Sequence, residues 1–96
     1  MQYGFTELDI RTAIKNDNKE TLVQFTKNYT NIILSKKRFN NISDIDRDDI
    51  IMFSCENVLK YYKHCPLDRV INTIAYLSTV IRSGIAKSLQ TIKIEN

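Results

Sequence analysis

The chain has 96 residues, of which 43% are hydrophobic and 26% are charged; this size and this balance exclude two ordinary domains and intrinsic disorder. Two glycines and one proline are too few for a many-stranded sandwich or barrel, and no apolar run exceeds four residues, so no membrane-spanning helix is expected. The net charge of +3 is a weak indication of a polyanionic partner, and an N-terminus unlike a signal peptide predicts a cytoplasmic protein.

The first two elements are predicted as helices because apolar residues recur at helical spacing. Thr6 and Asp9 resemble a capping box that opens a helix over residues 6–15. The polar segment 16–18 ends this helix, and a second one is predicted over residues 19–39. The side chains expected to be buried are Phe5, Leu8, Ala13 and Ile14 near the first helix, and Leu22, Val23, Phe25, Tyr29, Ile32, Ile33 and Phe39 on the second.

An acidic segment opens the third predicted helix. Asp46 is expected to be its N-cap, and Asp48 and Asp49 fall in the first turn, where the helix dipole favours negative charge. The helix is predicted over residues 47–63 and ends before Pro66, because proline cannot continue it. Its expected buried residues are Ile51, Cys55, Val58, Leu59 and Tyr62.

The fourth predicted helix, over residues 67–89, has the clearest pattern. One continuous apolar stripe is formed by Val70, Ile74, Leu77, Ile81, Ile85 and Leu89. The opposite side is polar, basic and almost free of acidic residues, and it consists of Arg69, Asn72, Thr73, Tyr76, Thr79, Arg82, Ser83, Ala86, Lys87 and Gln90. Residues 92–96 are expected to fray. The predicted fold is therefore all-α, a compact bundle of about four helices in a single domain over residues 1–96.

The sequence contains no recognisable catalytic or metal-binding motif. Walker, GxGxxG, GxSxG and HExxH patterns are absent. Cys55, Cys65 and the single His64 do not complete the four-ligand set of a zinc site, and both thiols are expected to be reduced. The aspartates within residues 44–49 lack the turn glycine and distal glutamate of an EF-hand loop. We therefore predict no enzyme activity and no cofactor, and expect the helix surfaces to carry the function.

Three segments resemble, in order, region 2 of the bacterial sigma-70 family of transcription initiation factors. The first lies within residues 14–39 and the second within residues 49–63. The third, residues 76–89, is the most specific, because Tyr76 and the Ile81-Arg82-x-x-Ile85 core are both similar to the last helix of that region. The resemblance spans residues 7–94.

This resemblance implies an all-α transcription initiation domain that binds core RNA polymerase and promoter −10 DNA. The third helix would dock on the clamp coiled coil of the polymerase through Asp49, Met52, Phe53 and Glu56. The last helix would read and open the −10 element, partly as single-stranded DNA, through Tyr76, Thr79, Arg82, Ser83, Ala86 and Lys87. Tyr76 aligns with the aromatic residue on which a flipped adenine stacks, a contact worth roughly 1–3 kcal/mol per base.

The chain departs from the family pattern at several positions. Thr79 and Val80 stand where paired aromatic residues usually precede the Ile-Arg step, so we expect weaker strand opening. Ala86 has no side-chain hydrogen-bonding group with which to read a base. Met52 and Phe53 replace a polar pair, and we expect them to belong to a protein interface.

Other functions remain open from the sequence. One is a small helical regulatory module that binds a protein partner and no DNA, which the missing aromatic residues favour. Another is a duplex-binding helix-turn-helix protein, disfavoured because residues 64–66 lack the usual turn glycine. A complete sigma factor also needs a domain for the −35 element, so we expect either an excised domain or a stand-alone protein whose partner supplies that part.

Overall fold

The computed structural model describes residues 3–69 and 72–95, and within them the chain is helical and has no β-strand. The four helices are, in chain order, α1 (Glu7–Lys15), α2 (Lys19–Leu34), α3 (Asp44–Tyr61) and α4 (Thr73–Glu95). Single 3₁₀ turns follow α2 at Lys37–Phe39 and α3 at Tyr62–His64. The all-α bundle predicted from the sequence is confirmed.

Helices α3 and α4 form an antiparallel pair whose backbones approach closely at Gly84. A Cβ atom placed on Gly84 would lie 3.3 Å from the Cα of Ser54 and 3.4 Å from the Cβ of Asn57. The Asn57 side-chain amide also donates a hydrogen bond to the Val80 carbonyl at 2.9 Å. α2 packs against α3, and α1 packs against both α2 and α4. The pairing of α3 with α4 therefore determines which faces of these two helices reach solvent.

The core contains most of the apolar residues that the sequence pattern predicts. In α4, Ile74, Leu77, Ile81 and Ile85 are buried and Leu89 is half-buried, whereas Val70 lies outside the described residues. The largest side chains that are almost inaccessible to solvent are Tyr29, Tyr62, Phe25, Ile10, Leu22, Leu34, Ile50, Leu77, Ile81 and Val58. These side chains come from every helix, so one core holds the bundle together.

The predicted burial of Leu8 and Ile32 is wrong, because they are 70% and 48% exposed. In α1 the inward side is formed by Ile10, Ala13 and Ile14, and Leu8 lies outside this i, i+3, i+4 set. In α2 the consecutive pair at positions 32 and 33 is about 100° apart around the helix axis, so only Ile33 reaches the core.

The start of α1 agrees with the capping box expected from the sequence. The Thr6 hydroxyl accepts a hydrogen bond from the Asp9 N–H at 3.0 Å, and the Asp9 carboxylate accepts one from the Thr6 N–H at 2.9 Å. The pKa of the Asp9 carboxyl group is lowered, chiefly by its hydrogen bond with the Thr6 backbone and to a smaller extent by its interaction with the Thr6 side chain. The reciprocal bonds satisfy two N–H groups that the first helical turn leaves free.

The end of α2 at Leu34 corrects the predicted end at Phe39. Lys36 takes an extended conformation, with φ −69° and ψ 150°, and the following 3₁₀ turn brings Phe39 into the core. The Arg47 guanidinium donates hydrogen bonds to the Leu34 carbonyl at 2.8 Å and to the Phe39 carbonyl at 2.9 Å. A side chain from α3 therefore satisfies the Leu34 carbonyl, which a helix continuing to Phe39 would have bonded internally, and the Phe39 carbonyl as well.

The start of α3 at Asp44 corrects the predicted start at residue 47 and the predicted cap at Asp46. Ser43 is the N-cap, because its hydroxyl accepts a hydrogen bond from the Asp46 N–H at 3.1 Å. Asp44 and Asp46 thus lie in the first turn, where carboxylates interact favourably with the helix dipole. At the other end the α-helix stops at Tyr61, and the 3₁₀ turn takes the place of the last residues predicted for it.

The bounds of α4 also differ from the predicted residues 67–89. After Pro66 the chain makes a turn, in which the Arg69 N–H donates to the Pro66 carbonyl at 2.9 Å, and the helix begins at Thr73. It continues to Glu95, so the expected fraying from residue 92 is not seen in the backbone up to that point.

The cap of α4 comes from α1, which the local sequence does not reveal. One Glu7 carboxylate oxygen accepts hydrogen bonds from the Thr73 N–H at 2.8 Å and the Thr73 hydroxyl at 2.6 Å. The other accepts from the Ile74 N–H at 3.1 Å. The Asn72 side-chain carbonyl accepts from the Ala75 N–H at 2.9 Å. Three free N–H groups of the first turn are therefore satisfied.

Candidate functional site on helices three and four

The four residues predicted to bind the polymerase lie together on the outer side of α3. We call this surface the α3 face; it consists of Asp49, Met52, Phe53 and Glu56. All four are exposed, Met52 by 58% and Phe53 by 39%. Because they follow one another by three, one and three positions, they share one side of the helix.

The packing of α3 explains why this side faces solvent. Ile50, Ser54 and Val58 are buried in the bundle. Asn57 bonds to α4, and the Cys55 sulfur lies 4.0 Å from a carbonyl oxygen of α2. These contacts occupy the opposite side of the helix, so two large apolar side chains on the α3 face are left in water.

Ile45 extends this surface and was not identified from the sequence. It is 75% exposed and precedes Met52 by two helical turns on the same side. The predicted helix over residues 47–63 leaves residue 45 in a loop, whereas α3 begins one residue before it, at Asp44. The spacing Ser43-x-x-Asp46, typical of a helix start, is the signal that would have placed it on α3.

The six residues predicted to bind DNA lie on α4, and five of them are exposed: Thr79, Arg82, Ser83, Ala86 and Lys87. Tyr76 is half-buried, packs against the core and donates a hydrogen bond from its hydroxyl to the Tyr61 carbonyl at 3.3 Å. Burial, and to a smaller extent Cys65, raises the pKa of Tyr76. The side chain is therefore a neutral phenol, tied to α3 at its tip and with part of its ring in solvent.

The helix geometry divides these six residues between two flanks of α4. Tyr76, Ser83 and Lys87 form one row, which we call the α4 row, because steps of seven and four residues return to within about 40° around the axis. Arg82 lies about 120° from Tyr76 and about 140° from Lys87. Its guanidinium carbon is 6.0 Å from the centre of the Tyr29 ring of α2. Tyr76, Arg82 and Lys87 are thus not brought together on one surface.

The two helices present different charges to solvent. The α3 face carries the carboxylates of Asp49 and Glu56. Within residues 72–91, α4 and its N-cap carry the cations Arg82 and Lys87 and no carboxylate. The α3 face is therefore acidic and apolar, whereas the charged side chains described on α4 are both cations and lie on different flanks.

Groups that could carry covalent or metal chemistry are buried or dispersed in the described part of the chain. Cys55 and Cys65 are both buried and free, and burial raises the pKa of each thiol. Among the side chains described, those of residues 3–69 and 72–91, there is no group of three or more His, Cys, Asp or Glu placed to hold a metal ion. None of the helices in these ranges is both long and apolar enough to cross a bilayer.

Comparison with known proteins gives no match to a family model, to a curated protein or to a solved structure. The likeness to sigma region 2 therefore rests on the three sequence segments alone.

Proposed function

We propose that this chain is a helical transcription initiation domain, similar to sigma region 2, that docks on core RNA polymerase through the α3 face. The observation that carries this proposal is the exposure of Met52 and Phe53 side by side between two carboxylates. The sequence resemblance supplies the identity of the partner, the clamp coiled coil.

The chemistry of the α3 face suits a protein partner. An exposed pair of large apolar side chains costs free energy in water and gains it when a partner covers them. The unbranched Met52 side chain adapts to an irregular partner surface, and Phe53 contributes a large rigid area. Asp49 and Glu56 precede and follow the apolar pair by one helical turn, where they would select a partner with basic side chains around an apolar contact.

We expect the double substitution Met52→Glu/Phe53→Glu to reduce capture of this chain by bacterial core RNA polymerase by about tenfold or more, since central apolar contacts dominate interface energies. Immobilised polymerase and quantitative pull-down measure the effect. The matched control is Leu8→Glu/Ile32→Glu, which places the same charges on two other exposed apolar residues.

Full capture of the control with loss of the α3 variant supports docking through this face. Equal capture of the wild type and the α3 variant, or no capture of the wild type, contradicts it. Circular dichroism on each variant verifies that helicity is unchanged.

A second activity, binding of single-stranded −10 DNA, is favoured by the α4 row. The half-exposed ring of Tyr76, the hydroxyl of Ser83 and the ammonium group of Lys87 lie along one side of α4. The described side chains of this helix include no carboxylate. A ring and a cation on the same side of a helix, three turns apart, are suited to stacking on one base and contacting a phosphate further along the strand. Arg82 lies on the other flank, so Lys87 is the cation that would accompany Tyr76.

In the complex with core polymerase, we expect Tyr76→Leu to weaken binding of an AT-rich single-stranded −10 oligonucleotide by about 5- to 150-fold, because stacking is lost while apolar packing is retained. Lys87→Ala should lower the slope of log affinity against log salt by about 0.7. Arg82→Ala is the matched control and should change that slope less. If Lys87→Ala does not change the salt slope, or Tyr76→Leu does not change the affinity for the oligonucleotide, DNA binding through the α4 row is contradicted. The remaining function would be that of a protein-binding module without DNA contacts.

A further inference from the structure

A cavity of about 740 Å³ opens between the end of α2, the segment that joins α2 to α3, and the last turns of α4. It lies on the Arg82 flank of α4, and its lining includes no residue of the α3 face or of the α4 row. Its volume falls within the range of about 300–1,000 Å³ that small-molecule sites occupy. The sequence predicts a role in DNA binding for two of its lining residues, Arg82 and Ala86, and no ligand site for the cavity itself.

The walls of the cavity are largely apolar. Ile33 and Ile85 are buried residues of the facing helices α2 and α4, and Leu89 extends the α4 wall. Ile42 and Phe39 come from the joining segment. A hydrocarbon body placed there would leave water for apolar surface on several sides.

The charged groups of the cavity are predominantly cationic. They are Lys36, Arg38 and Arg82, opposed by one carboxylate, Asp46. The Arg38 guanidinium carbon lies 4.8 Å from the centre of the Phe39 ring, and that of Arg82 lies against Tyr29. Among the side chains of residues 3–69 and 72–91, no carboxylate lies within salt-bridge distance of any of the three cations. Arginines held over rings keep their donors available for an anion.

From this combination we infer that the cavity binds a small amphipathic anion, a carboxylate attached to a hydrocarbon chain. The chain lies between Ile33 and Ile85, and the carboxylate lies at the mouth, within reach of Arg82 and Arg38. Asp46 opposes the three cations and repels an anionic ligand, so the lining has a formal net charge of +2 and suits a ligand with one carboxylate better than a polyanion. Ala86 lines the cavity with a single methyl group, so this position of α4 leaves room for the ligand.

Isothermal titration of the full chain with sodium octanoate tests the assignment, with 1-octanol as the uncharged ligand of the same length. We expect saturable binding of one octanoate, about fivefold or more tighter than octanol, since each exposed charge pair contributes little alone and several act together. Arg82→Gln should reduce octanoate affinity toward that of octanol and leave octanol binding unchanged.

Ala86→Phe fills the cavity from an exposed position and should abolish binding of both ligands. Ala75→Phe makes the same change at another exposed alanine three turns earlier on α4 and should bind like the wild type. Absence of saturable octanoate binding to the wild type, equal affinity for octanoate and octanol, or undiminished binding to Ala86→Phe would overturn the assignment. If Ala86→Phe does not fold, the Arg82→Gln comparison decides.

Discussion

Replacing Gly84 by leucine should lower the free energy of unfolding by about 2–4 kcal/mol, because the added side chain has no space between α3 and α4. Even a Cβ atom at this position comes within 3.3 Å of the Ser54 backbone. Larger groups would force the two helices apart and break the hydrogen bond from Asn57 to Val80. Urea denaturation followed by circular dichroism measures the loss.

Two further substitutions separate crowding from other effects at this position. Gly84→Ala should stay within about 1 kcal/mol of the wild type, because the gain in helix propensity opposes the tight contact. Ser83→Leu puts the same large side chain on the adjacent exposed residue and should change stability little. A Gly84→Leu protein as stable as the Ser83→Leu protein would contradict the close approach of the helices.

The second large effect is expected from Glu7→Gln, which removes the charge that caps α4. Hydrogen bonds to charged groups contribute about 1.5–3 kcal/mol, and because Glu7 is partly exposed we expect a loss at the lower end, about 1–2 kcal/mol at pH 7. Thr73 is fully buried, so its backbone N–H has no access to water as a replacement. Chemical denaturation of both proteins gives the difference.

This difference should depend on pH in a defined direction. Burial raises the pKa of Glu7, but hydrogen bonds from Thr73 and Ile74 and the charge of Arg11 outweigh it and bring the pKa below 4.5. Glu7 therefore stabilises the fold above pH 4.5, and its contribution is lost as the pH falls through the folded-state pKa. The two proteins should converge in stability in acid.

The control for the cap is Glu20→Gln, at an exposed glutamate in the first turn of α2. It lies near a helix N-terminus without accepting a hydrogen bond among the described residues, so its replacement should cost only the dipole interaction, roughly 0.3–1 kcal/mol. Equal losses for Glu7→Gln and Glu20→Gln would mean that the bonds to Thr73 and Ile74 contribute nothing.

The helical class of the fold could be predicted because the spacing of Ile74, Leu77, Ile81 and Ile85 is a local property of the chain. The start of α4 was harder to predict, because only one of its capping residues, Asn72, is local, and the other, Glu7, belongs to α1 far away in the sequence. The end of α2 could not be predicted for a similar reason, because the group that donates a hydrogen bond to the Leu34 carbonyl is the Arg47 guanidinium of α3. Local patterns contain no information on such distant donors and acceptors.

The candidate surfaces were predictable to different degrees. In the run Ile50-Ile51-Met52-Phe53 apolar residues point in every direction, so only the packing of α3 decides that the last two are exposed. The separation of Arg82 from Tyr76 follows from helix geometry and was available from the sequence. The cavity beside Arg82 was not, because it forms where three distant segments meet. The sigma-like function remains a prediction.

Arg47 ties the segment between α2 and α3 to the first turn of α3 at two points, the carbonyls of Leu34 and Phe39. This joining segment is also a wall of the cavity beside Arg82, and α3 carries the surface proposed to meet the polymerase. A displacement of α3 relative to the segment would strain both hydrogen bonds, so we expect the two to move together. If both proposed sites bind their ligands, each ligand should then alter the affinity for the other, and by reciprocity to the same extent.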